Sequence, residues 1–114
     1  MANPVVHFEV TGKDIQKLKD FYQGVFDWEI NVMPEMNYGM VESPGGGGIG
    51  GGIGVTEGAG NVMFYIEVED LVAYLKKIEG RGGKTVTPPT EVPNVVTFAT
   101  FEDPEGHLIG LVKS

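Results

Sequence analysis

The sequence repeats itself. Slid by 56 residues, it sets Phe8 on Phe64, Val10 on Ile66, Asp14 on Asp70 and Ile15 on Leu71. Slid by 60, it sets Tyr38-Gly39-Met40-Val41-Glu42-Ser43-Pro44 on Phe98-Ala99-Thr100-Phe101-Glu102-Asp103-Pro104, so the loops between differ by four residues. Two units of about half the chain each predict a pseudo-symmetric fold. Its site is expected where the units meet, and matched positions can be compared for chemistry. At 114 residues the chain reads as one domain, 1–114, with modules at 4–55 and 60–113.

The hydrophobic pattern gives each module the same order. Val5 to Val10 is β-rich, and Lys13 to Phe26 places Ile15, Leu18, Phe21, Tyr22, Val25 and Phe26 on one side of a helix that Asp14 or Thr11 can cap. Trp28 to Val32 alternates as a strand closed by Pro34, and Tyr38 to Glu42 is a third strand ending in the turn Ser43-Pro44-Gly45-Gly46. In the second module, Asn61 to Val68 is a strand and Asp70 to Glu79 a helix with Leu71, Tyr74, Leu75 and Ile78 inward. Lys84–Thr87, Val95–Phe101 and His107–Val112 follow as strands. One helix per module within a β-α-β-β-β order predicts an α+β fold rather than a doubly wound sheet.

The tract from Gly45 to Gly54 contains Gly46-x-Gly48-x-x-Gly51, a formal match to a dinucleotide fingerprint. No helix pattern follows to offer its N-terminus to a phosphate, and no Lys-Ser/Thr pair makes it a P-loop. The repeat explains it better: Ile49 falls on Ile109, which makes the tract a fourth strand weakened by glycine. Such glycines let a ligand or another chain approach the backbone.

Charge and composition exclude several classes. There are no cysteines, so disulfides, zinc-thiolate sites and thiol nucleophiles are excluded. A formal charge of −8 opposes nucleic acid and anionic membranes and favours a cationic ligand. The chain has no long apolar run, and Met1-Ala2-Asn3-Pro4 lacks a signal pattern, so a cytoplasmic protein is expected.

His7-Phe8-Glu9-Val10, Asp14 and Phe21-Tyr22-x-x-Val25-Phe26-Asp27-Trp28 resemble the first module of the vicinal oxygen chelate superfamily, which holds glyoxalase I, extradiol dioxygenases and bleomycin-resistance proteins. Asp103-Pro104-Glu105-Gly106-His107 resembles its closing Asp-Pro-x-Gly-Asn signature, with His107 as a turn-capping residue where the family usually has Asn. The resemblance implies two modules forming a U-shaped, eight-stranded mixed sheet, assembled as a homodimer. It also implies a divalent ion acting as a Lewis acid, held by His nitrogens and carboxylates near the start of the first strand and on the last strand of each module. The matching positions are His7, Gly50, Met63 and Gly110, of which two have no side chain and one is a soft thioether. No metal and no cofactor are therefore expected. A weaker set of His7, Glu9 and Tyr65 stays open.

Period two puts Glu9 on the same strand face as His7, and a carboxylate facing inward is costly unless it is paired or solvated. A wet pocket is expected, with His7, Glu9 and Tyr65 as its polar cluster, Trp28 and Tyr38 as aromatic walls or core, and Met63 beside them. The predicted ligand-binding residues are His7, Glu9, Trp28, Tyr38, Met63 and Tyr65, for a small molecule that is aromatic or cationic. The competing expectation is an enzyme of the superfamily, a lyase, isomerase or dioxygenase, using a non-standard metal set or a His7–Glu9 acid–base pair.

Overall fold

Asp14 and Asp70, matched by the repeat, do the same job. In the computed structural model, which describes residues 2–114, both have extended backbone, with φ of −131° and −136°. Each carboxylate accepts the backbone N–H three residues on, from Lys17 and Ala73, at 3.1 Å in both cases. These bonds satisfy donors that a helix start leaves unpaired. Helix α1 (Ile15–Phe26) follows the first cap and α2 (Leu71–Gly80) the second. The strands are β1 (Val5–Gly12), β2 (Ile30–Met33), β3 (Tyr38–Val41), β4 (Gly50–Val55), β5 (Val62–Val68), β6 (Lys84–Val92), β7 (Val96–Glu102) and β8 (Leu108–Lys113). The order is β-α-β-β-β twice, and the class is α+β.

By their internal contacts, residues His7–Met63 form a first half, and Phe64–Ser114 with the N-terminal residues up to Val6 form a second. The N-terminal residues are tied to their half where the Pro4 carbonyl accepts the Glu67 N–H at 2.9 Å.

In the first half the strands lie in the order β2-β3-β4-β1, antiparallel except for the parallel pair β1–β4. One face is covered by α1. Ile30, Val41 and Ile53 are buried there, with Phe8, Ile15, Leu18, Tyr22 and Trp28 packed against them. Burial of such aliphatic side chains stabilises the fold by about 1.5–3 kcal/mol each. Glycine is required at 51 on this side, because a Cβ would fall 2.5 Å from the Phe8 ring.

In the second half the order is β5-β8-β7-β6, with β5–β8 parallel. Its core of Val68, Leu71, Leu75, Ala99, Phe101, Ile109 and Leu111 lies with α2. Strand β6 is longer than the sequence predicts, running on from Thr87 through Pro88 and Pro89 to Val92 with two register shifts against β7. A strand at the end of the order tolerates proline because its outer N–H groups have no ladder partner to lose.

One sequence expectation is corrected by the ladders. Tyr38 lies opposite Gly54 and Val41 opposite Gly51, while Phe98 lies opposite Val112 and Phe101 opposite Ile109. With Tyr38 matched to Phe98, the last strands match at a shift of 58 rather than 60. Gly52, not Gly50, is thus the counterpart of Gly110, and Ile49 lies before β4. Four glycines among the six residues of β4 leave little in the sequence to mark its register.

The turn before β8 is built by Asp103. Its carboxylate accepts the N–H groups of Glu105 at 3.0 Å and His107 at 2.9 Å, while Gly106 takes φ +88°. His107 is exposed, with Nδ1 3.0 Å from Asp103 Oδ2. The His107 backbone N–H holds the Asp103 carboxyl below its ordinary pKa, opposed by desolvation and aided by the His107 side chain and the Glu105 N–H. Asp103 is the capping residue and His107 is part of the turn it closes.

Candidate functional site

Alternation along β1 sends Phe8 toward α1 and His7, Glu9 and Thr11 to the opposite face. On β4 the residues sharing that open face are Gly50, Gly52 and Gly54, paired with His7, Glu9 and Thr11 in turn. On β3 they are Tyr38 and Met40, paired with Gly54 and Gly52. The middle strand therefore presents backbone alone. Across it the Tyr38 phenol reaches β1, donating to Glu9 Oε2 at 3.0 Å and lying 3.1 Å from His7 Nε2. Since the single phenol proton goes to Glu9, the Tyr38 oxygen accepts from His7 Nε2–H.

Burial pushes the His7 imidazole below its ordinary pKa, against a pull from the Glu9 carboxylate in the other direction. At neutral pH His7 is then uncharged, with its proton on Nε2. Beside this series lies a cavity of about 340 Å³ lined by Glu9, Thr11, Met36, Asn37, Tyr38, Gly54 and Val55. Its rim is the turn between β2 and β3, where the Met36 and Asn37 N–H groups bond back to the Met33 and Pro34 carbonyls and Asn37 takes φ +49°. Asn is among the few residues that accept this left-handed backbone at low cost.

Of the residues expected at a site, the structure brings His7, Glu9 and Tyr38 together in the first half. Trp28 is on the helix side, stacked on Tyr22 at 4.7 Å and 8°, with Phe8 and Phe26 around it. It does not join the polar group, because it lies outside the strands and extends the α1 core. Met63 is buried near the start of β5. Tyr65 covers Gly110 in the second half. Sequence reasoning missed Thr11, Met36, Asn37 and Val55. Thr11 was within reach, since the period that joined Glu9 to His7 also adds the next alternate residue.

A divalent ion of the kind the resemblance implies does not fit this donor set. In the first half, His7 and Glu9 are spanned by the Tyr38 phenol, and the facing strand offers glycine. Met63, at the end of the first half, supplies a thioether, and in the second half Tyr65 and Gly110 supply a phenol and no side chain. Among the described residues, no group of three His, Cys, Asp or Glu side chains is placed to hold an ion. A tight site needs at least three such ligands.

The family model of the Glyoxalase/Bleomycin resistance protein/Dioxygenase superfamily matches residues 5–111. The chain belongs to this superfamily. Among curated proteins, CFP32 of Mycobacterium bovis and of Mycobacterium tuberculosis, named as a glyoxylase, is 33% identical over 49 residues, 43% of this chain. The chain spans only 19% of the length of those relatives. Among solved structures, a glyoxalase/bleomycin resistance protein/dioxygenase superfamily member from Vibrio splendidus shares the fold with a TM-score of 0.69 at 17% identity, over 99% of this chain and 100% of that one. Methylmalonyl-CoA epimerase from Mycobacterium tuberculosis gives 0.68 at 14% identity, over 96% and 86%. At such identities the likeness is one of fold. Within the glyoxalase/bleomycin resistance superfamily, then, this member carries a hydrogen-bonded His–Tyr–Glu series in its first half, with glycine and methionine at the positions where the resemblance implied metal ligands.

Proposed function

We propose that the protein binds a small molecule in the cleft of its first half, without a metal ion, and that the ligand carries an aromatic or cationic group. The observation that carries this reading is the His7–Tyr38–Glu9 series beside a cavity of about 340 Å³, next to a strand that presents only glycine on that face. That volume is at the small end of the range for ligand sites, about 300–1,000 Å³. Glu9 is the charged residue among those lining it, and a chain of net charge −8 attracts cations over longer range. The Tyr38 ring offers a face for an aromatic group or for a cation. Exposed Phe21, Val25 and Phe26 on α1 support a homodimer as its assembly.

Calorimetry with small aromatic amines, matched neutral alcohols and matched carboxylates, all in EDTA, tests the reading. Amines are expected to bind best, and Glu9→Gln to weaken them about tenfold, the scale of one charge-assisted hydrogen bond. Equal binding of carboxylates, or an unchanged affinity in Glu9→Gln, counts against it.

A second reading, a metal-free acid–base enzyme, draws on the uncharged state of His7. Glu9 lines the cavity and is the group that can take a proton from a ligand, while His7, two hydrogen bonds away, donates to Tyr38 and keeps the phenol proton directed at Glu9. Its mark is solvent deuterium entering the carbon next to the carbonyl of a bound carbonyl compound, lost in Glu9→Gln. Binding without exchange leaves the first reading standing alone.

A further inference from the structure

We infer that Gly52 is a positioning residue: its lack of a side chain is what allows Tyr38 to join His7 and Glu9, an inference that rests on the proposed role of that series. Tyr38 stands on β3 and its partners on β1, with β4 between them. The gap is two strand spacings, about 10 Å, and the phenol has to lie flat across the middle strand to span it. The ladder fixes where it crosses. Tyr38 is opposite Gly54, Glu9 opposite Gly52 and His7 opposite Gly50, so the ring leans along β4 and comes to rest over Gly52.

A Cβ built at 52 would overlap the Tyr38 hydroxyl and the ring carbon that bears it. A Cβ at 54, on the same face of the same strand, would meet nothing closer than 3.4 Å. Backbone conformation does not ask for glycine at 52, whose φ is negative, unlike Gly45, Gly46 and Gly47 in the preceding loop. The requirement comes from the tyrosine.

The second half builds the same slot and fills it differently. Gly110, the counterpart of Gly52, would overlap the ring of Tyr65 if it had a Cβ. Tyr65 is the counterpart of Glu9 and is paired directly with Gly110 on the neighbouring strand β5. In the first half that place is taken by a carboxylate, which cannot cover the glycine, and the covering ring comes instead from β3 on the other side. A carboxylate and a phenol thus stand at the two positions where the second half has the aromatic residues Tyr65 and Phe98. The polar site is a product of that exchange, and it depends on position 52 staying empty.

The protonation state of His7 reads this out without any ligand. The parent protein is expected to show the Nε2–H tautomer of His7 in ¹⁵N imidazole spectra and a titration midpoint below the free-histidine value, with His107→Gln identifying the other ring. Gly52→Ala should raise the midpoint by several tenths of a pH unit or more and remove the tautomer preference, while Gly54→Ala should change neither. Gly52→Ala with parental tautomer and midpoint, or Gly54→Ala with an equal shift, overturns the inference. Should Gly52→Ala be too unstable to titrate, a thermal cycle with Tyr38→Ala decides. The inference predicts that alanine at 52 costs little once the tyrosine is gone. A double variant that loses as much as Gly52→Ala does in the parent overturns it. Failure of every small-molecule probe to bind the parent would refute the proposed function and leave this result to the titrations.

Discussion

Tyr38 holds the site's parts together, though nothing in the sequence connects it to β1. The joint orientation of His7 and Glu9 follows from alternation, and both were legible. Their connection was not, because it crosses a strand whose glycines carry no pattern. Tyr38→Phe keeps the ring over Gly52 and removes one hydrogen bond to a carboxylate and one to an imidazole. Net values of about 0.5–1.5 kcal/mol per bond, about 1–3 kcal/mol for the two, predict a ligand affinity reduced roughly five- to 150-fold, read by calorimetry. An affinity equal to the parent's would show that the phenol oxygen takes no part. His7 also gives stability a pH dependence. Its folded pKa lies below the unfolded value of about 6.5, so the unfolded chain binds the proton more readily. Stability is full above about 6.5 and falls as pH drops from there toward the folded pKa, by at most about 1.4 kcal/mol per pH unit for one proton. Denaturant titrations at stepped pH should show this slope, and His7→Gln should remove it. Asp103, lowered in its turn, adds a separate loss below about 3.9, in the same direction.

At the scale of elements, the repeat made the order readable and left the details to context. Both helices begin at the residues the repeat pairs, because an aspartate cap is a local device that sequence shows directly. Asp14→Ala and Asp70→Ala should each lower stability by about 1 kcal/mol in chemical denaturation. A cost near zero for either would mean that packing alone holds that helix start. The strand ends were harder. The strand predicted over Lys84–Thr87 stops short of Pro88 and Pro89, yet β6 passes through them at the end of the order, where a missing N–H is tolerated. Register in β4 was misjudged by two residues for want of side chains. Trp28, read as a wall or a core residue, went to the core because α1 offers Tyr22 and Phe26 for it to stack against. Within β4 the two faces make different demands. Gly51→Ala drives a methyl group into the Phe8 ring and should destabilise by about 1–3 kcal/mol, the usual cost of overpacking, whereas Gly54→Ala should be tolerated. Equal melting temperatures for the two variants would contradict the packing described for Phe8.

For the whole molecule, the α+β class and the superfamily were legible in the repeated pattern and in the Asp-Pro-x-Gly turn. The chemistry was legible chiefly as a departure, with glycine and methionine at three of the four positions where a metal ligand was expected. The homodimer proposed from the exposed apolar side chains of α1 predicts a mass near twice 12.3 kDa by light scattering at micromolar concentration. A mass of 12.3 kDa would remove that assembly. The central claim is that a small ligand enters the Glu9–Tyr38 cleft and needs no metal to do so. The most direct measurement is a backbone amide NMR titration of ¹⁵N-labelled protein with an aromatic amine, run in EDTA and repeated with added divalent ions. The expected result is a saturable set of shifts centred on Glu9, Thr11, Asn37, Tyr38 and Gly54, the same with and without metal. Shifts centred on other residues, or binding that appears only when a divalent ion is supplied, would contradict it.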